Sequence, residues 1–141
     1  MNESQLRTSI RESELRIEGC RVEIKQLEQK IDDLIDVRNG LSSYKGVMAN
    51  QVDNGLAKLN SITAMSCLAR SASTYAASMS KALHGSSYSG AQQSLDSVIA
   101  KVDKAIQSCE AEIEQYRRTM ASCRNQIDAS RRELTRLQAE D

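Results

Sequence analysis

The chain has 141 residues and 19 basic against 19 acidic side chains, so its formal net charge is zero. That length suits one domain without a large separate catalytic unit, and neutrality removes any global pull toward nucleic acid or an anionic membrane. Proline, tryptophan and phenylalanine are absent and only four tyrosines occur, which excludes an aromatic-filled core and removes the strongest helix breaker. The expected class is all-α.

Taken in chain order, Asn2 followed by Gln5 forms an N-cap and capping-box pair, which predicts a first helix from about Glu3. Glu3 with Arg7, and Glu12 with Arg16, add opposite charges at i,i+4 spacing. Leu6, Ile10, Ser13, Ile17, Cys20, Ile24, Leu27, Ile31, Leu34 and Leu41 then recur at alternating steps of four and three, interrupted only by Arg38. A repeat averaging 3.5 residues keeps one apolar seam toward a partner helix, the signature of a coiled coil. Asn39-Gly40 is a stop signal, although Leu41 still falls on the heptad and permits the helix to run on.

Residues 42–90 form a weakly charged middle. Val47, Met48, Val52, Leu56, Leu59, Ile62 and Met65 keep a helical period that Asn54-Gly55 threatens to interrupt. The Ser/Ala-rich stretch 71–83 is expected to be helical with low intrinsic stability. His84-Gly85-Ser86-Ser87 is the clearest turn. Ser89 with Gln92 makes a second capping box, predicting a final helix of nearly fifty residues.

From residue 91 onward the heptad returns: Leu95, Ile99, Val102, Ile106, Cys109, Ile113, Tyr116, Met120, Cys123, Ile127, Ser130, Leu134 and Leu137. The obvious partner of this second arm, 91–141, is the first arm, 1–41, folded back antiparallel. The expected architecture is therefore a long antiparallel coiled-coil-like hairpin, one helical domain with the middle at its tip. Regular a-to-d layers allow two alignments. A third sets Cys20 beside Cys123, Ser13 beside Ser130 and Leu27 beside Tyr116, and periodicity alone chooses none of them. Leu15, Val22, Ile35 and Val37 lie off the a and d positions and could widen an open flank.

Little here suggests chemistry. The spacings of Cys20, Cys67, Cys109 and Cys123 match no zinc pattern, and three of the four occupy seam positions, where a free cysteine acts as a small hydrophobe. His84 has no nucleophile arranged beside it, Asp32-Asp33 reads as a solvated helix face, and no phosphate loop or nucleophile elbow occurs. No enzyme, cofactor or metal site is expected. The start of the chain lacks the apolar stretch of a secretory signal and no run reaches the length of a membrane span, so cytosolic synthesis is expected, with signal-independent export left open.

One local motif stands out, Tyr88-Ser89-Gly90 followed by Leu95. An aromatic and a glycine at a helix start let a ring pack across a tight backbone bend. This segment resembles the aromatic-x-Gly turn of the WXG superfamily of type VII secretion, with Tyr88 in place of tryptophan, Gly90 as the glycine and Leu95 as a later apolar anchor. In length and coiled arms the chain resembles the YwqH-like small helical proteins associated with LXG-type toxins of Gram-positive bacteria. The resemblance implies a non-catalytic partner, chaperone or targeting factor that pairs its helices with the helical N-terminal domain of a toxin, and co-export with it from the cytoplasm. Tyr88, Gly90 and Leu95 would then be partner-binding residues. The alternative is a structural coiled-coil protein that self-associates.

Overall fold

The structure, a computed structural model, describes residues 2–64, 70–83 and 85–140. The expectations attached to Cys67 and His84 lie outside them. Three helices follow in order, α1 (Glu3–Ala64), α2 (Arg70–Leu83) and α3 (Ser86–Glu140). The protein is all-α, and α1 and α3 pack against each other as a helical hairpin.

The helix starts show how local chemistry sets boundaries. At α1 the expected capping box forms in full: the Asn2 amide donates to Gln5 Oε1 at 3.0 Å, and the Gln5 amide donates to Asn2 Oδ1 at 2.9 Å. Arg7 pairs with Glu3 as the spacing predicts, whereas no ion pair joins Glu12 to Arg16. At α3 the second capping box does not form. The helix begins at Ser86, three residues before the expected cap, and Gln92 Nε2 donates instead to the Tyr88 hydroxyl at 3.2 Å. The Ser89 amide donates to the Gly85 carbonyl at 3.3 Å, so Gly85 holds the N-cap position and leaves Ser89 no orphan donor to serve.

Neither Asn39-Gly40 nor Asn54-Gly55 ends α1, which runs through both. No described residue has a positive φ, so the left-handed conformation that stops a helix is taken at neither site. Each interior glycine costs about 1 kcal/mol against alanine, a penalty that packing of the seam overrides.

Two compact units divide the chain, Met1–Leu34 with Ala105–Asp141, and Ile35–Lys104. They cut across the helices, so each contains a piece of α1 and a piece of α3. In the first unit Ile17 and Ile24 serve as heptad position a, and Cys20 and Leu27 as d; on α3, Ile106 and Ile113 are a, and Cys109 and Tyr116 are d. Ile17, Cys20, Met120, Cys123 and Ile127 form a buried cluster with Ile10, Ile24 and Tyr116 packed on it. Cys123, at 2% exposure, is its most enclosed member. Cys20, Cys109 and Cys123 are buried free thiols, in keeping with the hydrophobic role expected of them. Ser13 occupies a seam position and keeps its buried hydroxyl satisfied by donating to Gln126 Oε1 at 3.4 Å.

The arms run antiparallel, with Glu14 paired to Arg131 at 3.3 Å and Glu28 to Arg117 at 3.9 Å. All four residues are e positions, which puts the two e rows on one flank of the seam and the two g rows on the other. These pairs are more than half exposed, so each contributes less than about 1 kcal/mol and serves mainly orientation. Near the end of α3, Arg136 donates to Glu133 through Nε at 3.0 Å and to Glu140 at 2.7 Å, and its hydrogen bond holds the Glu133 carboxyl below its ordinary pKa.

Leu15 and Val22 do not widen the seam. Both fall at f, directly behind it, and Leu15 is 67% exposed.

Candidate partner-binding face

The second unit is built on the same heptad but closes less tightly. Leu41, Met48, Val52 and Leu59 continue the seam of α1, and Tyr88, Leu95, Ile99 and Val102 that of α3. All eight are half-buried, and no residue of this unit whose side chain is described is fully buried. The reason lies in what the seam carries. Arg38 and Lys45 occupy two successive a positions, where a cation cannot stay enclosed without a partner. Both turn to the e flank: Arg38 donates to Asp103 at 3.2 Å and Lys45 pairs with Asp96. The two cations and the two carboxylates are each one heptad apart, so the four residues form a ladder that a register shift would break.

On the opposite flank the charges give way to apolar side chains. Val37 and Tyr44 are successive g positions on α1, Val98 is a g position on α3, and Val47 lies at the neighbouring c position of α1. All four are exposed, Tyr44 at 60% and Val98 at 43%. Gly40 on the same side meets nothing within 4 Å of a built Cβ, so the backbone there is open to close approach. Exposed apolar side chains scattered singly need no explanation, but a row along one flank marks an interaction surface.

The motif residues are divided by the helix. Tyr88 and Leu95 are one heptad apart, both half-buried on the seam side of α3. Gly90, two residues on from Tyr88, faces the other way. It sits inside α3 with no positive φ, so the tight bend expected at Tyr88-Ser89-Gly90 is replaced by regular helix, and a bend falls at Gly85, just before α3. The Gly85 amide donates to the Ala82 carbonyl at 3.1 Å, and a Cβ on Gly85 would lie 3.1 Å from that same oxygen. A Cβ on Gly90 would meet nothing within 4 Å. Gly90→Ala is therefore expected to stabilise the fold by about 0.5–1 kcal/mol, whereas Gly85→Ala destabilises it through that backbone contact. Urea unfolding of the two variants checks the contrast.

Tyr44, Val98 and the Lys45–Asp96 pair were not singled out from the sequence, and Val47, read there as part of the helical period of the middle, lies exposed off the seam. The signal that would have found them is heptad phase: Lys45 follows Arg38 by seven, Asp103 follows Asp96 by seven, and Tyr44 follows Val37 by seven. Asp32 and Asp33 are exposed, as expected of a solvated face.

The first unit offers a different feature, an open groove of about 650 Å³ floored by Ile24 and Met120 and rimmed by Arg21, Lys25, Arg117 and Arg124. Glu18 and Glu28 pair with two of those cations, Arg21 at 3.4 Å and Arg117 at 3.9 Å, which leaves a shallow mixed-charge surface. Among the described residues no cluster of His, Cys, Asp or Glu is arranged to hold a metal ion, and no helix is long and apolar enough to cross a membrane. No protein-family model matches the chain, and comparison with characterised proteins and with solved structures finds no match.

Proposed function

We propose that this chain is a non-catalytic helical partner, a chaperone or targeting factor, for an LXG-type toxin exported by type VII secretion. The observation that carries a binding role is the half-closed seam of the second unit with Val37, Tyr44, Val47 and Val98 exposed along one flank. Covering such a row with another helix removes apolar surface from water, at roughly 25 cal/mol per Å². The toxin as partner rests on the resemblance of the arms and of Tyr88, Gly90 and Leu95 to the secretion-associated helical proteins. The same exposed row also supports a second reading, a self-associating coiled-coil protein, because a second hairpin would cover it in a four-helix bundle.

Affinity purification of the tagged chain from its native host tests the proposal. A stoichiometric companion with a helical N-terminal domain and an unrelated C-terminal domain is the expected result. Recovery of copies of the chain alone, in a fixed dimer or tetramer, would overturn the toxin reading in favour of self-assembly.

A further inference from the structure

The arms of the first unit meet in one of the three alignments that periodicity leaves open, and the rows beside the seam show which. Ile17 and Ile127, both a positions, line one shallow groove between the arms, and Ile24 and Met120, also both a, floor the next. Glu14 pairs with Arg131 and Glu28 with Arg117, e to e, while Arg16 and Gln126, both g, share a groove on the other flank. All three rows belong to a single register. Where a meets a, d must meet d in the next layer, so Cys20 stands across the seam from Cys123 and Ser13 from Ser130. Either a-to-d alignment would instead set Ile17 against Cys123 or against Ser130.

The consequence is a facing pair of thiols inside the buried cluster. Cys20 is 5% exposed and Cys123 2%, and both pack with Ile17, Met120 and Ile127. A disulfide needs Cα atoms within about 7 Å. Helix axes about 8–10 Å apart, with Cα atoms about 2.3 Å off each axis, put facing seam residues within that reach at the near end of the range. Small side chains in two successive d layers, Ser13 with Ser130 and Cys20 with Cys123, let the helices approach that closely. In the same register Cys109 stands across from Leu34, so it has no facing thiol.

We infer that Cys20 and Cys123 form a dithiol site for thiol–disulfide exchange, which a small-molecule disulfide closes into a covalent link between the arms. One cysteine, as thiolate, attacks a sulfur of the oxidant RSSR, forming a mixed disulfide and releasing RS⁻. The facing cysteine gives up its proton and attacks the first cysteine's sulfur, forming the Cys20–Cys123 bond and releasing the second RS⁻. The two thiol protons end on two RSH, so two cysteines are oxidised and one disulfide is reduced. Burial shields both sulfurs in the closed hairpin, and exchange proceeds before the arms pair or while they part. In a reducing compartment the dithiol stays open, and in an oxidising one it closes. The link joins residues far apart in the chain, which restricts the unfolded state and resists separation of the arms. This site is independent of the partner proposed above.

The test refolds the full reduced chain from urea in a buffer of reduced and oxidised glutathione, so that burial of the thiols does not limit the reaction. Mass spectrometry of a non-reduced digest is expected to show peptides joined through Cys20 and Cys123, from a monomer that has lost two hydrogens. The linked form should unfold in urea at least about tenfold more slowly than the reduced form, and dithiothreitol should remove the difference. Cys20→Ala and Cys123→Ala should each abolish both the link and the effect of the oxidant. Should either variant fail to fold, the wild-type peptide map and its reversal by dithiothreitol remain decisive.

Free thiols at Cys20 and Cys123 after refolding, or a stable glutathione adduct on either, would overturn the inference. So would a link from either residue to Cys67, to Cys109 or to a second chain, or a Cys20–Cys123 link that leaves the unfolding rate unchanged. The host purification is read separately: a toxin companion recovered with the Cys20→Ala variant supports the proposed function whether or not the link forms in the wild type.

Discussion

Ile127→Asp is expected to unfold the first unit, with a loss on the order of 4 kcal/mol read by urea denaturation and by thermal melting of the helical signal. Ile127 belongs to the cluster that includes Ile17, Cys20, Met120 and Cys123. Its replacement removes a packed aliphatic side chain and leaves a carboxylate where no cation of the cluster can meet it. Burial disfavours the charged form, so the new carboxyl would have a raised pKa in the folded state. The deficit should therefore be largest above that folded pKa and shrink as pH falls through it toward the unfolded value. Leu15→Asp provides the internal comparison. At 67% exposure and heptad position f it should change stability by less than about 0.5 kcal/mol. Similar losses for the two variants would show that the cluster does not hold the arms together.

The second large effect is kinetic. Amide hydrogens in residues 41–59 of α1 and 88–102 of α3 should exchange at least about a hundredfold faster than those in residues 13–31 and 106–127, as followed by hydrogen–deuterium exchange with mass spectrometry. The physical basis is the distribution of enclosure. Every buried side chain among those described, from Leu6 to Ile127, belongs to the first unit, and in the second Leu41, Met48, Val52 and Leu59 of α1 and Tyr88, Leu95, Ile99 and Val102 of α3 are half-buried. Opening a helix segment that encloses less apolar surface costs less free energy, and the Arg38–Asp103 and Lys45–Asp96 pairs, partly exposed, replace little of the difference. Uniform protection along α1 and α3 would contradict this account. Binding of a partner to the second unit should slow exchange there, because a ligand that binds only the closed state stabilises it.

The first of these effects was legible in the residues alone, and the second was not. Ile17, Cys20, Cys123 and Ile127 recur at steps of three and four, so their shared face could be read before any contact was known. The same reading placed the Asn2–Gln5 cap, because a capping box is a local event complete within four residues. It misplaced the start of α3 for a related reason. Ser89 with Gln92 has the right composition, but the Gly85 carbonyl already accepts the first helical bond and draws the boundary back to Ser86. Asn39-Gly40 and Asn54-Gly55 carry stop signals of about 1 kcal/mol per glycine, which the packed seam outweighs.

The candidate face divides along the same line. Tyr88 and Leu95 were recognised as a local motif and do share one side of α3. Gly90 does not join them, because a helix turns a residue two positions on to its opposite side. Val37 was marked as lying off the seam, and Tyr44 follows it by one heptad on the same helix, but Val98 joins that flank only once α1 and α3 are paired, since g rows from two strands of the hairpin meet across space and not along the chain.

Sequence alone determined the helical class, the antiparallel pairing of two heptad arms and the seam composition, since each follows from periodicity and from the absence of proline. Tertiary structure alone decided how deeply each stretch of seam is enclosed, which carboxylates engage Arg38 and Lys45, and which flank is left apolar. Periodicity tells a side chain which way to face. What it meets there depends on a second helix distant in the chain, whose alignment is set by the sum of many contacts.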